Sequence, residues 1–439
     1  AVLARDGDGR IPMAMSPIRH CPCCSGCGRR DVQEDEDDEE FDRFEAPSQV
    51  SAALEAVLQS FPKRRVRRFK TWLPGPLQVV MAAKPPEDAR DLPPPEREVV
   101  ALPDGGRVAV DWVGGPRPAG GGRRPPALVV LGLPGIGASS SSGLLGACAA
   151  ALAVRLPDAR VGTMVAQGLD GLPLETRAVM ATPYFATDDI GVLLSHIAGK
   201  YPGVPIVIFA NSFGVGLFVR WAGQNPQWCK EANVIGGVML CFGYSVATTS
   251  RAGDKTLATP TFVLGHWRAS VQANEKWVRS LEGQVDGFCF DKLMAASTIA
   301  EWEEAACPLY GFSGRDAMLQ SIETEQASHS IEIPMIYIGS DDDPITPATR
   351  LLANSMATRA HSAVLCTRGG GHMGWWEGPL WRMHQTWIFR VVTDLVRAFA
   401  AAAVPTGGEE LRASSEGCQR AALHARILHI TSGHSQPDQ

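Results

Sequence analysis

No stretch of this 439-residue chain runs 18 apolar residues without interruption, the length a helix needs to cross a bilayer. The nearest to one, 144–156, is short and holds Arg155, so it reads as a buried or amphipathic helix. Charge of one sign is not in excess either. The 41 basic residues against 47 acidic ones leave −6, which does not indicate a nucleic-acid partner for the chain as a whole. The histidines include no H-E-x-x-H and no close pair, so no metal is expected. The glycine-rich turn at 132–137 is not followed by Gly-Lys-Ser/Thr, which excludes a Walker phosphate loop. No cofactor is expected.

A second C-x-x-C knuckle is missing as well. Of 11 cysteines, Cys148, Cys229, Cys241, Cys289, Cys307, Cys366 and Cys418 stand singly, several in apolar stretches, as reduced thiols of an intracellular protein do. The other four crowd into Cys21, Cys23, Cys24 and Cys27. Structural zinc usually takes two well-separated knuckles, so this stretch reads as unstructured tail ahead of metal binding or acylation. The all-acidic run 34–40 repels itself and has no apolar face, and the N-terminal tail is taken as disordered over 1–60, a short helix over 48–58 apart. Six cations then fall within 63–70. The preferred reading is a solvated strip pairing with the acidic run, or a targeting signal; the competing one is a seat for anionic lipid headgroups. The location expected is cytosolic or membrane-associated, with peripheral membrane contact as one of the two.

What the chain does have is core. A hydrophobic content of 45% suits one large domain with tails, here 61–402. Its β-prone runs at 127–133, 161–166, 204–209 and 234–241 alternate with helical patterns at 186–200 and 217–224. That is the signature of a doubly wound, mostly parallel α/β sheet. A hairpin precedes it, turning at Pro103-Asp104-Gly105-Gly106. The alternation lapses over 242–332, a segment rich in Trp, Phe, Met and Ala that reads as a helical cap insert between the sixth and seventh strands. Its aromatics either line a site for an apolar chain or pack the insert onto the sheet. A closing helix occupies 376–402, and 403–439 reads as a second disordered tail, with a short helix near 421–428.

One stretch organises the rest. The run 204–209 stops at Ala210-Asn211-Ser212-Phe213-Gly214, and a helical pattern resumes through Leu217, Phe218 and Trp221. Strand, sharp turn and helix with serine at the apex make a nucleophile elbow, which needs small neighbours two residues either side. Downstream, the strand 333–339 runs into Ser340-Asp341-Asp342-Asp343-Pro344, and the strand 363–366 ends in Gly369-Gly370-Gly371-His372. An acid and a histidine thus follow the serine in the order of a serine triad, each past the carboxyl end of a strand. Ser212 and His372 are the candidates, with Asp341, Asp342 and Asp343 competing for the third place. The amide of Phe213, directly after the serine, is the first candidate donor to an oxyanion. His196, His266, His329 and His361 lack a glycine-rich loop and take no such role.

The chain resembles the α/β-hydrolase family that includes bacterial YheT, plant embryogenesis-associated protein EMB8 and the animal abhydrolase-domain phospholipases and esterases. The matching pieces are Trp72-Leu73-Pro74-Gly75-Pro76-Leu77-Gln78, Arg97-Glu98, Asp111-Trp112, Leu133-Pro134-Gly135, Thr182-Pro183-Tyr184 with Asp188, the elbow, Asn225-Pro226, Asp343-Pro344 and Gly370-Gly371-His372-Met373-Gly374-Trp375. Three positions depart from the family's motifs: Pro76 for histidine, Gln167 for arginine and Ala210 for glycine. The resemblance implies an α/β-hydrolase fold, Asp343 as the acid, and a second oxyanion donor from Ile136, with Gly135 beside it. It implies a serine hydrolase of carboxylic esters, lipid-like ones foremost, working through an acyl-enzyme. An acyltransferase to an alcohol is the alternative, and a non-catalytic binding protein of the same fold is the third. Some animal relatives carry an N-terminal membrane anchor; a chain that begins at alanine leaves room for one upstream. The partner expected is a small ester or lipid.

Overall fold

The computed structural model describes residues 41–61, 65–79, 81, 83–114, 125–136, 140, 143–176, 187–241, 258–346 and 355–403. The Cys21–Cys27 cluster, the acidic run, Thr182–Tyr184 and the tail from 404 lie outside the described residues. Eight strands form one sheet: β1 (Glu96–Ala101), β2 (Arg107–Gly114), β3 (Leu128–Leu133), β4 (Ala159–Val165), β5 (Ile206–Asn211), β6 (Val234–Leu240), β7 (Met335–Ser340) and β8 (Ser362–Thr367). Their spatial order is β1-β2-β4-β3-β5-β6-β7-β8. The β1–β2 hairpin pairs antiparallel within itself and against β4, and every other neighbour is parallel. This is the α/β-hydrolase arrangement.

Every residue of β3, β4, β5 and β7 is buried, because helices cover both faces. Side chains alternate between those faces at the strand period of two. Val130, Val207, Phe209, Val238 and Ile336 point to one side, where they meet α1 (Ala52–Ser60), α2 (Gly143–Arg155) and α5 (Thr386–Ala402). Val129, Leu131, Ile208, Ala210 and Met239 point to the other, against α3 (Thr187–Lys200) and α4 (Phe213–Gln224). Strand order reverses around β3, so the carboxyl ends of β3 and β5 open onto a crevice.

Residues 41–60, expected as tail apart from a short helix over 48–58, carry regular structure where they are described. Phe41–Arg43 pairs antiparallel with Arg65–Arg67, and Glu45 bridges to Val364 of β8. Ser51 caps α1 by accepting from the Leu54 amide at 3.2 Å. Leu54, Val57 and Leu58 are buried in the core shared with α5, each worth about 1.5–3 kcal/mol of burial. The amphipathic spacing of α1 was readable, but its partner face lies more than 300 residues away in sequence.

Between β6 and β7 the described chain is helical: Ala258–Ala273, Glu275–Ser280, Phe290–Ala295, Ile299–Ala306, Arg315–Ser321 and Thr324–Ser328. Thr298 and Glu301 form a capping box at the start of one of these helices. They enclose a core of their own in which Trp267 and Trp302 stack at 5.8 Å. Ile136, Leu169 and Phe213 of the sheet domain pack against it. Among the described residues no helix is long and apolar enough to cross a membrane.

Candidate active site

Ser212 follows the last residue of β5 and precedes the first of α4, with φ 50° and ψ −118°. A non-glycine residue held there costs on the order of 1–3 kcal/mol, so the surrounding backbone must hold it. Two neighbours do so. The Ser212 amide donates to the Leu240 carbonyl at 2.8 Å, and Gly214 lets the turn press against β3. A Cβ on Gly214 would sit 2.6 Å from the Pro134 oxygen and 2.7 Å from the Leu133 oxygen. Ala210, by contrast, buries its methyl in the sheet's second face without conflict. Of the two small residues of the elbow, only the second has to be glycine.

His372 Nε2 lies 2.8 Å from Ser212 Oγ, and its Nδ1 lies 2.8 Å from Asp343 Oδ2. His372 and Asp343 are buried. The Asp343 carboxylate also accepts from the Ile345 amide at 2.8 Å, the Thr346 amide at 2.9 Å and the Thr346 hydroxyl at 2.6 Å. Burial pushes this carboxyl up, but the His372 charge and the His372 and Thr346 hydrogen bonds outweigh it and hold it below the usual range. It is therefore ionised, and it holds the ring with Nε2 facing the serine. The competing acids have other work. Asp342 accepts from the Gly371 amide at 2.8 Å and from the Ser340 hydroxyl at 2.9 Å, so it shapes the histidine loop. Asp341 accepts from the Cys366 thiol at 3.0 Å at the far side of the strand ends.

The loop after β3 reaches the same point. A Cβ on Gly135 would lie 3.2 Å from Ser212 Cβ and 3.7 Å from its Oγ, so this backbone is at the serine. Phe213 opens α4, whose N-terminal end carries partial positive charge. The loop is fastened at Ser140, whose hydroxyl donates to Asp111 Oδ2 at 2.5 Å and whose amide donates to Asp170 at 2.8 Å. Arg97 grips Asp111 with two hydrogen bonds of 2.7 and 2.8 Å.

No family model matches the chain. Abhydrolase domain-containing protein 2 of Drosophila melanogaster is 25% identical over 229 residues, 48% of this chain and 56% of that protein. Phospholipase ABHD3 of Mus musculus is 23% identical over 328 residues, which cover 73% of this chain and 74% of that one. Monoacylglycerol lipase ABHD2 of Danio rerio is 22% identical over 242 residues, 52% of this chain and 55% of that one. The chain thus spans little more than half the length of the fly and zebrafish relatives. Sequence likeness and strand order agree. In sequence the chain is similar to abhydrolase-domain proteins, and its sheet has the α/β-hydrolase strand order.

In this α/β-hydrolase fold several residues around Ser212 carry no sequence signal. Cys241, directly after β6 with φ 53°, accepts at Sγ from the Met373 amide at 3.1 Å. Its thiol, Asp343 and His372 form a group whose donor atoms lie within 4.8 Å of one another, the one cluster among the described residues with metal-ligand chemistry. Burial, and then the Asp343 charge, push that thiol far up, so it is an uncharged filler beside the carboxylate. Thr346 is missed for the same reason: its contact with Asp343 depends on how one loop curls. Gln167, a departure from the family motif, is buried and accepts from Thr176 at 2.9 Å while its amide faces Asp189 at 3.4 Å.

Proposed function

We propose that the chain is a serine hydrolase of carboxylic esters, with Ser212 as nucleophile, His372 as general base and acid, and Asp343 as the carboxylate that orients the ring. The observation that carries this reading is the pair of 2.8 Å separations, Ser212 Oγ to His372 Nε2 and His372 Nδ1 to Asp343 Oδ2, at a serine held in strained backbone. A neutral serine hydroxyl is a weak nucleophile, and a base within hydrogen-bond reach is what activates it. In the proposed cycle Nε2 takes the hydroxyl proton as Oγ bonds to the ester carbon. The oxyanion is met by the Phe213 amide and that of Ile136 or Gly135. Collapse breaks the ester C–O bond, Nε2 passes its proton to the departing alkoxide, and an acyl-enzyme remains. Water then repeats the sequence and releases the acid.

Lipid-like esters are the substrate class we favour. The insert, acting as a cap, brings an apolar core to Phe213, Ile136 and Leu169 beside the serine, which suits an acyl chain. Relatives carry the names phospholipase and monoacylglycerol lipase. The test is labelling with a fluorophosphonate probe, together with turnover of p-nitrophenyl butyrate. Label should appear on Ser212 and vanish in Ser212→Ala, with turnover lost in His372→Ala. Equal labelling of the wild type and Ser212→Ala would end the proposal. Product analysis in ethanol separates hydrolysis from transfer to an alcohol.

A further inference from the structure

Trp381 is 87% exposed and Trp72 is 58% exposed, whereas Trp267, Trp302, Trp375 and Trp387 are among the most deeply buried side chains of the protein. The two indoles line one shallow groove with Lys70, Thr71, Gly378 and Pro379. Neither rides on loose chain. Trp381 sits at the tip of the loop 377–384, closed by paired backbone hydrogen bonds of 2.9 and 3.0 Å between Glu377 and His384. The Trp72 ring N–H donates to the Gly378 carbonyl at 2.9 Å, which ties its segment to the same loop. Leu77, on the short helix Gly75–Val79 that follows, is also exposed.

We propose that this surface is where the protein docks onto a membrane with anionic headgroups. Indoles that present an apolar body and a polar edge belong at a bilayer interface. The charge around them is of the complementary sign. Lys70, which lines the groove, and Arg382, next to Trp381 in the chain, are both exposed. Each cation close to an anionic leaflet strengthens binding roughly fivefold. The acid of the loop, Glu377, lies 3.3 Å from His384 and accepts from the Trp387 amide, so it is turned into the protein.

The patch is tied to the site described above. Thr71 donates to the Trp376 carbonyl at 2.8 Å, Gln78 accepts from the Trp376 amide at 2.9 Å, and Gly75 packs against Gly371, the residue before His372. The docking loop begins five residues after His372 and is braced to it. The proposal deepens the ester-hydrolase reading and rests on it for the use of such a surface: a seated enzyme would face its substrate at the leaflet.

The experiment uses the full chain carrying Ser212→Ala, so that lipid is not consumed and the result does not depend on turnover. Co-sedimentation with phosphatidylcholine vesicles, with and without phosphatidylserine, should show binding that needs the anionic lipid and weakens with salt. Trp381→Ala should lower the partition coefficient roughly tenfold. Lys70→Glu with Arg382→Glu should remove the preference for phosphatidylserine, which keeps the test decisive if the tryptophan variant folds poorly. Equal partition of Trp381→Ala, or no preference for anionic vesicles, would overturn the assignment. So would a lipid-free dimer that Trp381→Ala dissolves, since a second copy would then own the surface. Failure of the parent chain to turn over soluble esters would count against the hydrolase reading and leave the vesicle result standing.

Discussion

At Ser212 the fold holds a residue where glycine would sit more easily, and this can be measured. Ser212→Gly and Ser212→Ala both remove the hydroxyl, but only glycine relaxes at φ 50°. We expect Ser212→Gly to unfold in urea about 1 kcal/mol later than Ser212→Ala, despite glycine's greater freedom when unfolded. Equal midpoints would mean that the turn holds no strain. Gly214 poses the opposite case. Its missing side chain faces two backbone carbonyls that cannot move aside cheaply. Gly214→Ala should lower kcat on p-nitrophenyl butyrate about a hundredfold and destabilise by about 1–3 kcal/mol, whereas Ala210→Gly should change kcat little. Ser212 and His372 could be picked out as candidates in sequence because their surroundings are local: a strand, small residues, a run of glycines. Among three adjacent aspartates the residues alone left the choice open, and only the family resemblance pointed to Asp343, because the choice depends on which carboxylate the loop turns inward. Cys241 was invisible because its partner amide, at Met373, is 132 residues distant.

The strands and helices of the sheet were read with little error, because a fully buried parallel strand has no polar residues to confuse the pattern. The hairpin, the elbow helix and the closing helix likewise follow from turn residues and apolar spacing. What could not be read is how elements brace one another. The loop after β3 is anchored through Ser140 to Asp111 on β2, and Asp111 in turn to Arg97 on β1. Ser140→Ala should release that loop while leaving the serine, histidine and aspartate in place. Turnover of p-nitrophenyl butyrate should fall roughly tenfold through kcat, with KM little changed. That is less than the hundredfold or more that follows from losing an oxyanion donor outright. A change confined to KM would argue that the loop binds substrate and does not position the donor.

Across the molecule as a whole, stability should carry an imprint of Asp189, buried at the start of α3. Burial pushes its carboxyl up to about 7, with only the Gln167 amide opposing. In the unfolded chain the group ionises near pH 4, so between about pH 4 and 7 the folded protein holds the extra proton. Stability contributed by this group is therefore complete below that window and falls as the pH rises through it. Asp189→Asn should melt above the wild type at pH 8, and the gap should close as the pH approaches 4. A gap that stays constant with pH would show that the carboxyl titrates normally. Glu98 works in the other direction. Burial opposes its charge, but Lys200, His196 and Trp112 overcome this and bring its carboxyl to about 2, so its contribution is full above about pH 4.5 and is lost as the pH falls from there toward 2.

The order in which the strands leave the ribosome has a consequence of its own. On the proposed mechanism the segment that carries Ser212 is complete by residue 224, yet the His372 ring is not synthesised for well over a hundred residues more. If that mechanism holds, a nascent or prematurely terminated chain carries an inert alcohol. Under the proposal, competence would arrive only when the last two parallel strands join the edge of the sheet, and reaction with a fluorophosphonate would double as a clock for the completion of folding.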